Sequence, residues 1–392
     1  MKGDLHMVET DSATDTIPLN VGDRLELEIV DLAFGGEGVG RVDGFVVFVP
    51  FVITGEVVLA EITEHKKDFA RARLVQVLTP SPDRVDARCN YFGECGGCQY
   101  QHIDYTAQQR IKLEQVRSLF ERMGGFDSAL VGDLIPCPEP YGYRNRIMIR
   151  RQWDKTKQRA SYGFLQHKSR LVVDIERCEI AEEALNLQLT EVRADPPPRN
   201  MHKVVLRMMP DDWEMHRDSF YQNNFHLLPQ LVEAVRERLV DAGTRHLVDA
   251  YCGTGFFSIS LAEQVDAFVG IDIDRQCILP ARKNLEARGI TNGEFVLGKT
   301  EEQMRKLLGR FPPEDTTLIL DPPRKGCKPE GLEMLVDAQP AQVIYVSCHP
   351  ATLARDLKWL CENGYTLRGV TPLDMFPQTQ HVECVADLRR TD

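Results

Sequence analysis

The side chains best suited to covalent chemistry sit late in the chain. Ser347-Cys348-His349-Pro350 follows an apolar run from Val343 to Val346. A β-rich run closed by proline predicts a buried strand that ends in a loop. Open α/β sheets hold ligands at the carboxyl ends of their strands, so the Cys348 thiol is expected at such an edge. A thiol there is either a packed structural group or a nucleophile. As a nucleophile it suits a pyrimidine. Carbon 5 of uracil attacks poorly until a thiolate adds at carbon 6 and creates an enolate, which then takes a methyl group from a sulfonium. A base must afterwards remove the carbon 5 proton so that the thiol can leave. Glu383 follows Pro377 near the start of a predicted last strand and is the candidate base. Taken alone, a glutamate is usually a solvated surface residue; its neighbours single this one out.

Two further stretches point to the same edge. Asp249-Ala-Tyr-Cys-Gly-Thr-Gly255 joins a predicted strand to a helix, and its glycines let the backbone approach a ligand closely. Asp272 ends the next strand about 20 residues on, where a carboxylate meets ribose hydroxyls. The third glycine of the dinucleotide fingerprint is missing, its place falling within Phe256-Phe257-Ser258. The loop therefore suits S-adenosylmethionine, which has no pyrophosphate, better than NAD. Asp321-Pro-Pro-Arg324 ends a fourth strand. Amino-group methyltransferases carry an aromatic residue in the place of Arg324, so a different acceptor atom is expected here.

Eleven cysteines in a large chain without a signal peptide read as ligands, nucleophiles or core residues rather than disulfides. Cys89, Cys95 and Cys98 cluster with glycines between them, a soft-metal pattern. A fourth thiolate would complete the set, and Cys178 is the choice, with Cys137 the alternative. The spacing leaves a [4Fe–4S] cluster, a structural zinc and three unliganded thiols open.

The elements that must position these residues divide the 392-residue chain into four parts. Residues 1–20 are polar and acidic and read as a flexible tail. Residues 21–82 carry short alternating strands, with a turn cluster at Gly35–Gly40, and predict an OB-like barrel that resembles a TRAM domain, an RNA-binding accessory module. Pro80-Ser-Pro82 closes it. Residues 83–217 predict an α+β domain holding the cysteine motif and one helix over 104–123, with an apolar stripe of Leu113, Val116, Phe120 and Met123. In residues 218–392 strands and helices alternate as in a doubly wound, Rossmann-like parallel sheet. Pro196–Pro198 reads as a linker. The chain carries a net charge of −12, yet Arg144–Arg170 holds nine Arg or Lys and one acid. A local basic surface on an acidic protein fits an RNA partner. No apolar run is long enough to span a membrane, so a cytoplasmic protein is the expectation; the sequence is silent on oligomeric state, and a monomer is the default.

Cys89/Cys95/Cys98 with Cys178, Phe220-Tyr-Gln222-Asn-Asn, Asp249 to Gly255, Asp321-Pro-Pro-Arg-Lys-Gly, Ser347-Cys-His-Pro and His381-Val-Glu383 together resemble the RNA 5-methyluridine (uracil-C5) methyltransferase family. The resemblance implies that Gln222, Tyr251, Asp272 and Asp321 bind S-adenosylmethionine, that Cys348 is the nucleophile and that Glu383 accepts the proton. It also implies a [4Fe–4S] cluster on the four cysteines, which favours the 23S ribosomal RNA branch over the tRNA branch. The chain departs from the family pattern at Asp272, commonly Glu, at Phe256, often Asn, and at Lys299, where an acid or amide is usual. The rival functions are tRNA uridine-C5 methylation, RNA cytosine-C5 methylation, and an inactive iron–sulfur RNA-binding module.

Overall fold

Alternation with a period of two turns Leu27, Val47, Val49, Val58, Ala60 and Ile62 inward, and these form the core of the first unit. The computed structural model describes residues 19–156 and 158–391 and separates into two units, one ending at Arg84 and one beginning at Val85. The first is a six-stranded sheet of β1 (Arg24–Glu28), β2 (Asp31–Leu32), β3 (Glu37–Val42), β4 (Phe45–Pro50), β5 (Val57–His65) and β6 (Phe69–Thr79), in the order β1-β5-β6-β4-β3-β2. The expected turn cluster is half strand. Gly38 and Gly40 lie within β3, where a β-carbon would collide with Val52 and with Leu27 respectively. These glycines admit close packing rather than a turn. The tail expected at residues 1–20 lies, up to residue 18, outside the described residues.

The second unit opens with the turns that carry Cys89, Cys95 and Cys98. Helix α1 (Tyr105–Leu119) follows, capped by the Asp104 carboxylate, which accepts the amides of Thr106 and Ala107. It runs on as one π turn over Phe120–Gly124. Val116 and Phe120 are fully buried, but Met123 is 44 % exposed. The wider turn rotates it off the stripe that the helical period predicts. A four-stranded antiparallel sheet comes next, from β7 (Arg146–Asp154), β8 (Arg159–Leu165) and β9 (Val172–Asp174), then α2 (Glu183–Ala194) and β10 (Lys203–Arg207), ordered β10-β7-β8-β9. Pro196–Pro198 joins α2 to β10 and so is a loop inside this layer. The basic run is not one uniform face. Arg144 and Arg146 line an internal cavity, Arg159 pairs with Asp174 at 3.0 Å, and Lys157 lies outside the described residues.

The third layer contains α3 (Leu228–Ala242), β11 (His246–Ala250), α4 (Phe256–Ser260), β12 (Ala267–Asp272), α5 (Arg275–Ala287), β13 (Gly293–Leu297), α6 (Thr300–Leu308), β14 (Thr316–Leu320), α7 (Pro329–Ala338), β15 (Gln342–Ser347), α8 (Pro350–Glu362), β16 (Tyr365–Leu373) and β17 (Glu383–Arg390). Its seven strands are ordered β13-β12-β11-β14-β15-β17-β16. Strands β11 to β15 are mutually parallel. Their near-continuous apolar runs are buried on both faces, with Leu247, Ile319 and Ile344 packed on one side and Val248, Leu318 and Val343 on the other. The sheet departs from the all-parallel expectation at one end, where β17 is wedged antiparallel between β15 and β16. Strand order reverses at β11/β14, which opens a crevice at the carboxyl edge.

Candidate active site

That wedge brings the two candidate residues, Cys348 and Glu383, to one strand edge. Ser347 pairs with Cys384 and Val346 with Val385, so the next step of the same register sets Cys348 opposite Glu383. An antiparallel strand begins where its parallel neighbours end, so Glu383, the first residue of β17, lies at the carboxyl edge. Both residues line one cavity of about 750 Å³, as do Gln222, Tyr251, Asp272 and Asp321.

Burial governs the electrostatics. It pushes the Cys348 thiol up to about 12, reinforced by Glu383 and Asp321 and opposed by the Arg324 guanidinium. Glu383 is 3 % exposed, and burial and then Asp321 raise its carboxyl well above the usual carboxylate range. Asp321 is pushed up to about 7 by burial and by Asp249. Arg324 Nη2 lies 3.1 Å from His381 Nε2. Burial and that cation lower the His381 imidazole to about 3, so it is neutral and accepts from the guanidinium, which can only donate.

The glycine turn is built as its residue types predict. Tyr251, Gly253 and Gly255 all have left-handed backbones, with φ of 65°, 55° and 86°. A β-carbon on Gly255 would lie 2.5 Å from Phe295, whereas one on Gly253 would meet nothing within 4 Å. The first glycine of the pair therefore faces open cavity, and the second makes room for the core. The Asp272 carboxylate accepts Gly253 N–H at 2.9 Å and Asp274 N–H at 2.8 Å, which ties the end of β12 to the turn. Gln222 Nε2 donates to Asp321 Oδ2 at 3.4 Å. Phe220 and Ile273, 58 % and 64 % exposed, add an apolar rim near Asp272 that suits a flat ring.

Residues 200–391 match the family model described as tRNA (Uracil-5-)-methyltransferase, and residues 18–75 match the TRAM domain. A Halalkalibacterium halodurans protein named as an uncharacterized RNA methyltransferase is 30 % identical across 95 % of this chain and 98 % of its own length. The tRNA (uracil(54)-C(5))-methyltransferase of Schizosaccharomyces pombe is 30 % identical across 95 % of this chain and 80 % of its own. The chain belongs to the RNA uracil-5-methyltransferase family. The crystal structure of the Pyrococcus abyssi tRNA (uracil-54, C5)-methyltransferase with S-adenosyl-L-homocysteine superimposes with a TM-score of 0.70 at 26 % identity, covering 93 % of this chain and 100 % of that one. This methyltransferase thus takes its methyl group from S-adenosylmethionine and acts on RNA, and the open turn at Gly253 fits that donor.

The four cysteines expected as ligands share one cavity wall but are not drawn into a metal-holding group. Cys89, Cys95, Cys98 and Cys178 are free thiols on the wall of the same cavity. Cys178 is held by Asn186, whose Oδ1 accepts its amide at 2.9 Å. Cys137 stands apart from that wall and bonds Asn224 and the Glu139 carbonyl. Among the described residues no three His, Cys, Asp or Glu side chains are grouped to hold a metal ion.

One part of the site escaped sequence reasoning. Lys112 and Gln108 lie on α1, are fully buried, and bond the segment that leads into Glu383. The only sequence signal is a polar residue recurring at i and i+4 on a helix, which ordinarily marks a solvated face.

Proposed function

We propose that this methyltransferase modifies carbon 5 of a uridine through a covalent adduct between Cys348 and carbon 6, with Glu383 as the proton acceptor. The observation that carries this reading is the β15/β17 register, which sets the two side chains at one strand edge. S-adenosylmethionine supplies the electrophilic methyl group. Gln222, Tyr251, Asp272 and Asp321 are proposed to hold it at the turn. Arg324 favours the Cys348 thiolate, which must form against the effect of burial. The sulfur adds to carbon 6 and the electron pair moves into the enolate. Carbon 5 of the enolate attacks the methyl carbon, the methyl–sulfur bond breaks and S-adenosylhomocysteine leaves; Glu383 then takes the carbon 5 proton. The electron pair returns to the ring double bond, and Cys348 leaves as thiolate. A base raised by burial is suited to that last step, because its affinity for the proton is high.

The thiol wall is proposed to hold a [4Fe–4S] cluster. Four thiols are the donor set that iron–sulfur clusters use. The choice of iron over zinc rests on the family resemblance. Nothing in methyl transfer calls for an electron, so the cluster's role is to hold structure or RNA. Iron and acid-labile sulfide measured on anaerobically purified protein should be near stoichiometric with each other. Zinc without iron would overturn the assignment.

The acceptor is proposed to be 23S ribosomal RNA, on the strength of the four-thiol wall and the resemblance it supports. A tRNA acceptor is the second reading, favoured by the names of the fission-yeast relative and the archaeal structure. No helix among the described residues is long and apolar enough to cross a membrane, and we place the reaction in the cytoplasm. The test is methyl transfer from labelled S-adenosylmethionine to an unmodified tRNA transcript and to unmodified large-subunit ribosomal RNA, followed by nucleoside analysis. Label in 5-methyluridine from ribosomal RNA alone is expected. Label from tRNA alone would replace the first reading with the second, and label in 5-methylcytidine would remove the uridine assignment.

A further inference from the structure

The loop between β16 and β17 leads directly into Glu383, and it is buried: Asp374, Met375, Gln378, Thr379 and Val382 are each at most 1 % exposed. A buried loop is costly unless its backbone polar groups are paired. Here the partners come from the segment that follows Cys98. Lys112 uses all three ammonium protons on the loop, donating to Asp374 Oδ1 at 2.6 Å, the Phe376 carbonyl at 3.0 Å and the His381 carbonyl at 3.2 Å. Gln108 and Gln378 bond reciprocally: Gln378 N–H donates to Gln108 Oε1 at 3.1 Å, and Gln108 Nε2 donates to Gln378 Oε1 at 3.0 Å. The Gln378 carbonyl accepts the amides of Gln99 and Tyr100, both at 3.0 Å.

Gln378 is also strained, with φ of 67° on a residue that has a side chain. Such a conformation persists only where the surroundings over-determine it, and here backbone N–H, carbonyl and side chain are all engaged. We propose that Gln108, Lys112 and Gln378 are positioning residues for the proton acceptor. They lock the 374–382 loop so that Glu383 meets the carbon 5 proton, and they couple that loop to the cysteine segment. The inference rests on the reading of Glu383 as base.

The test uses the full-length protein, S-adenosylmethionine, and whichever of the two RNAs accepts label. Gln108→Ala and Lys112→Met are compared with Glu383→Gln. A misplaced base leaves adduct formation intact and slows its resolution. Both variants should therefore lower kcat at least tenfold, leave the equilibrium affinity for S-adenosylmethionine unchanged, and accumulate an RNA–protein adduct that survives denaturing electrophoresis. Lys112→Met strands the Asp374 carboxylate, so if it fails to fold, Gln108→Ala, which strands no charge, decides the matter. Wild-type turnover without adduct overturns the inference. So does a loss of turnover accompanied by weaker S-adenosylmethionine binding and no adduct, which would mark general damage. If Glu383→Gln itself yields no adduct, the reading of the base fails and this inference falls with it.

Discussion

Cys348 and Glu383 are both made reluctant to ionise by the burial that creates their site. In the proposed mechanism each must be deprotonated to act, one to attack and one to accept. A raised pKa therefore places the active fraction on the alkaline side. The rate should climb from pH 7 to 9 by about tenfold per unit or more steeply, since the thiol stands near 12 and each pH unit below its pKa costs a factor of ten in thiolate. A pH–rate profile of single-turnover methyl transfer checks this; a flat profile would mean that bound RNA has already removed the thiol proton. Cys348→Ala should abolish turnover and adduct alike. Glu383→Gln should release methylated RNA at least a hundredfold more slowly, and normal release would end its role as base.

In the turn between β11 and α4, Gly253 and Gly255 lead to opposite predictions. Gly255→Ala drives a β-carbon into Phe295 and also imposes a left-handed backbone on alanine, so it should cost stability, by roughly 2–5 kcal/mol, and lower Tm. Gly253→Ala meets no protein atom. Its folding penalty is only the backbone's, about 1–2 kcal/mol, and its main effect should be a higher KM for S-adenosylmethionine. Thermal melts beside donor titrations separate the two. Both glycines were legible in the sequence because a turn after a strand is local chemistry. So were Asp272, Asp321 and Cys348, each at or just past the end of an apolar run. The antiparallel course of β17 was not legible, because its apolar pattern is the same in either direction and its partners are distant in sequence. Lys112 was hidden for another reason: a lysine on an amphipathic helix reads as solvated until the carboxylate that buries it, Asp374, is brought from the far end of the chain. Gly38 and Gly40 read as a turn because their partners, Val52 and Leu27, belong to other parts of the first unit.

RNA recognition belongs to the whole molecule. The TRAM unit has its own core, and the second unit keeps the complete cavity without it. A chain beginning at Val85 should bind S-adenosylmethionine normally and bind RNA more weakly, which isothermal titration with each ligand measures. If β7, β8 and the loop after them meet RNA, they do so through charge. Replacing Arg150, Arg151, Lys168 and Arg170 by alanine should lower the slope of log affinity against log salt by up to about 3, at roughly 0.7 for each single-strand phosphate left without a cation. An unchanged slope would place the RNA elsewhere.

The wedge of β17 between β15 and β16 also orders events in time. The thiol is made before the group that releases it, and a nucleophile without its base would seize RNA and keep it. Because β17 is synthesised after every other strand and must slot between two already made, attack and release mature in one folding step. If Cys348 and Glu383 act as proposed, a ribosome-bound nascent chain lacking β17 should form no adduct with RNA.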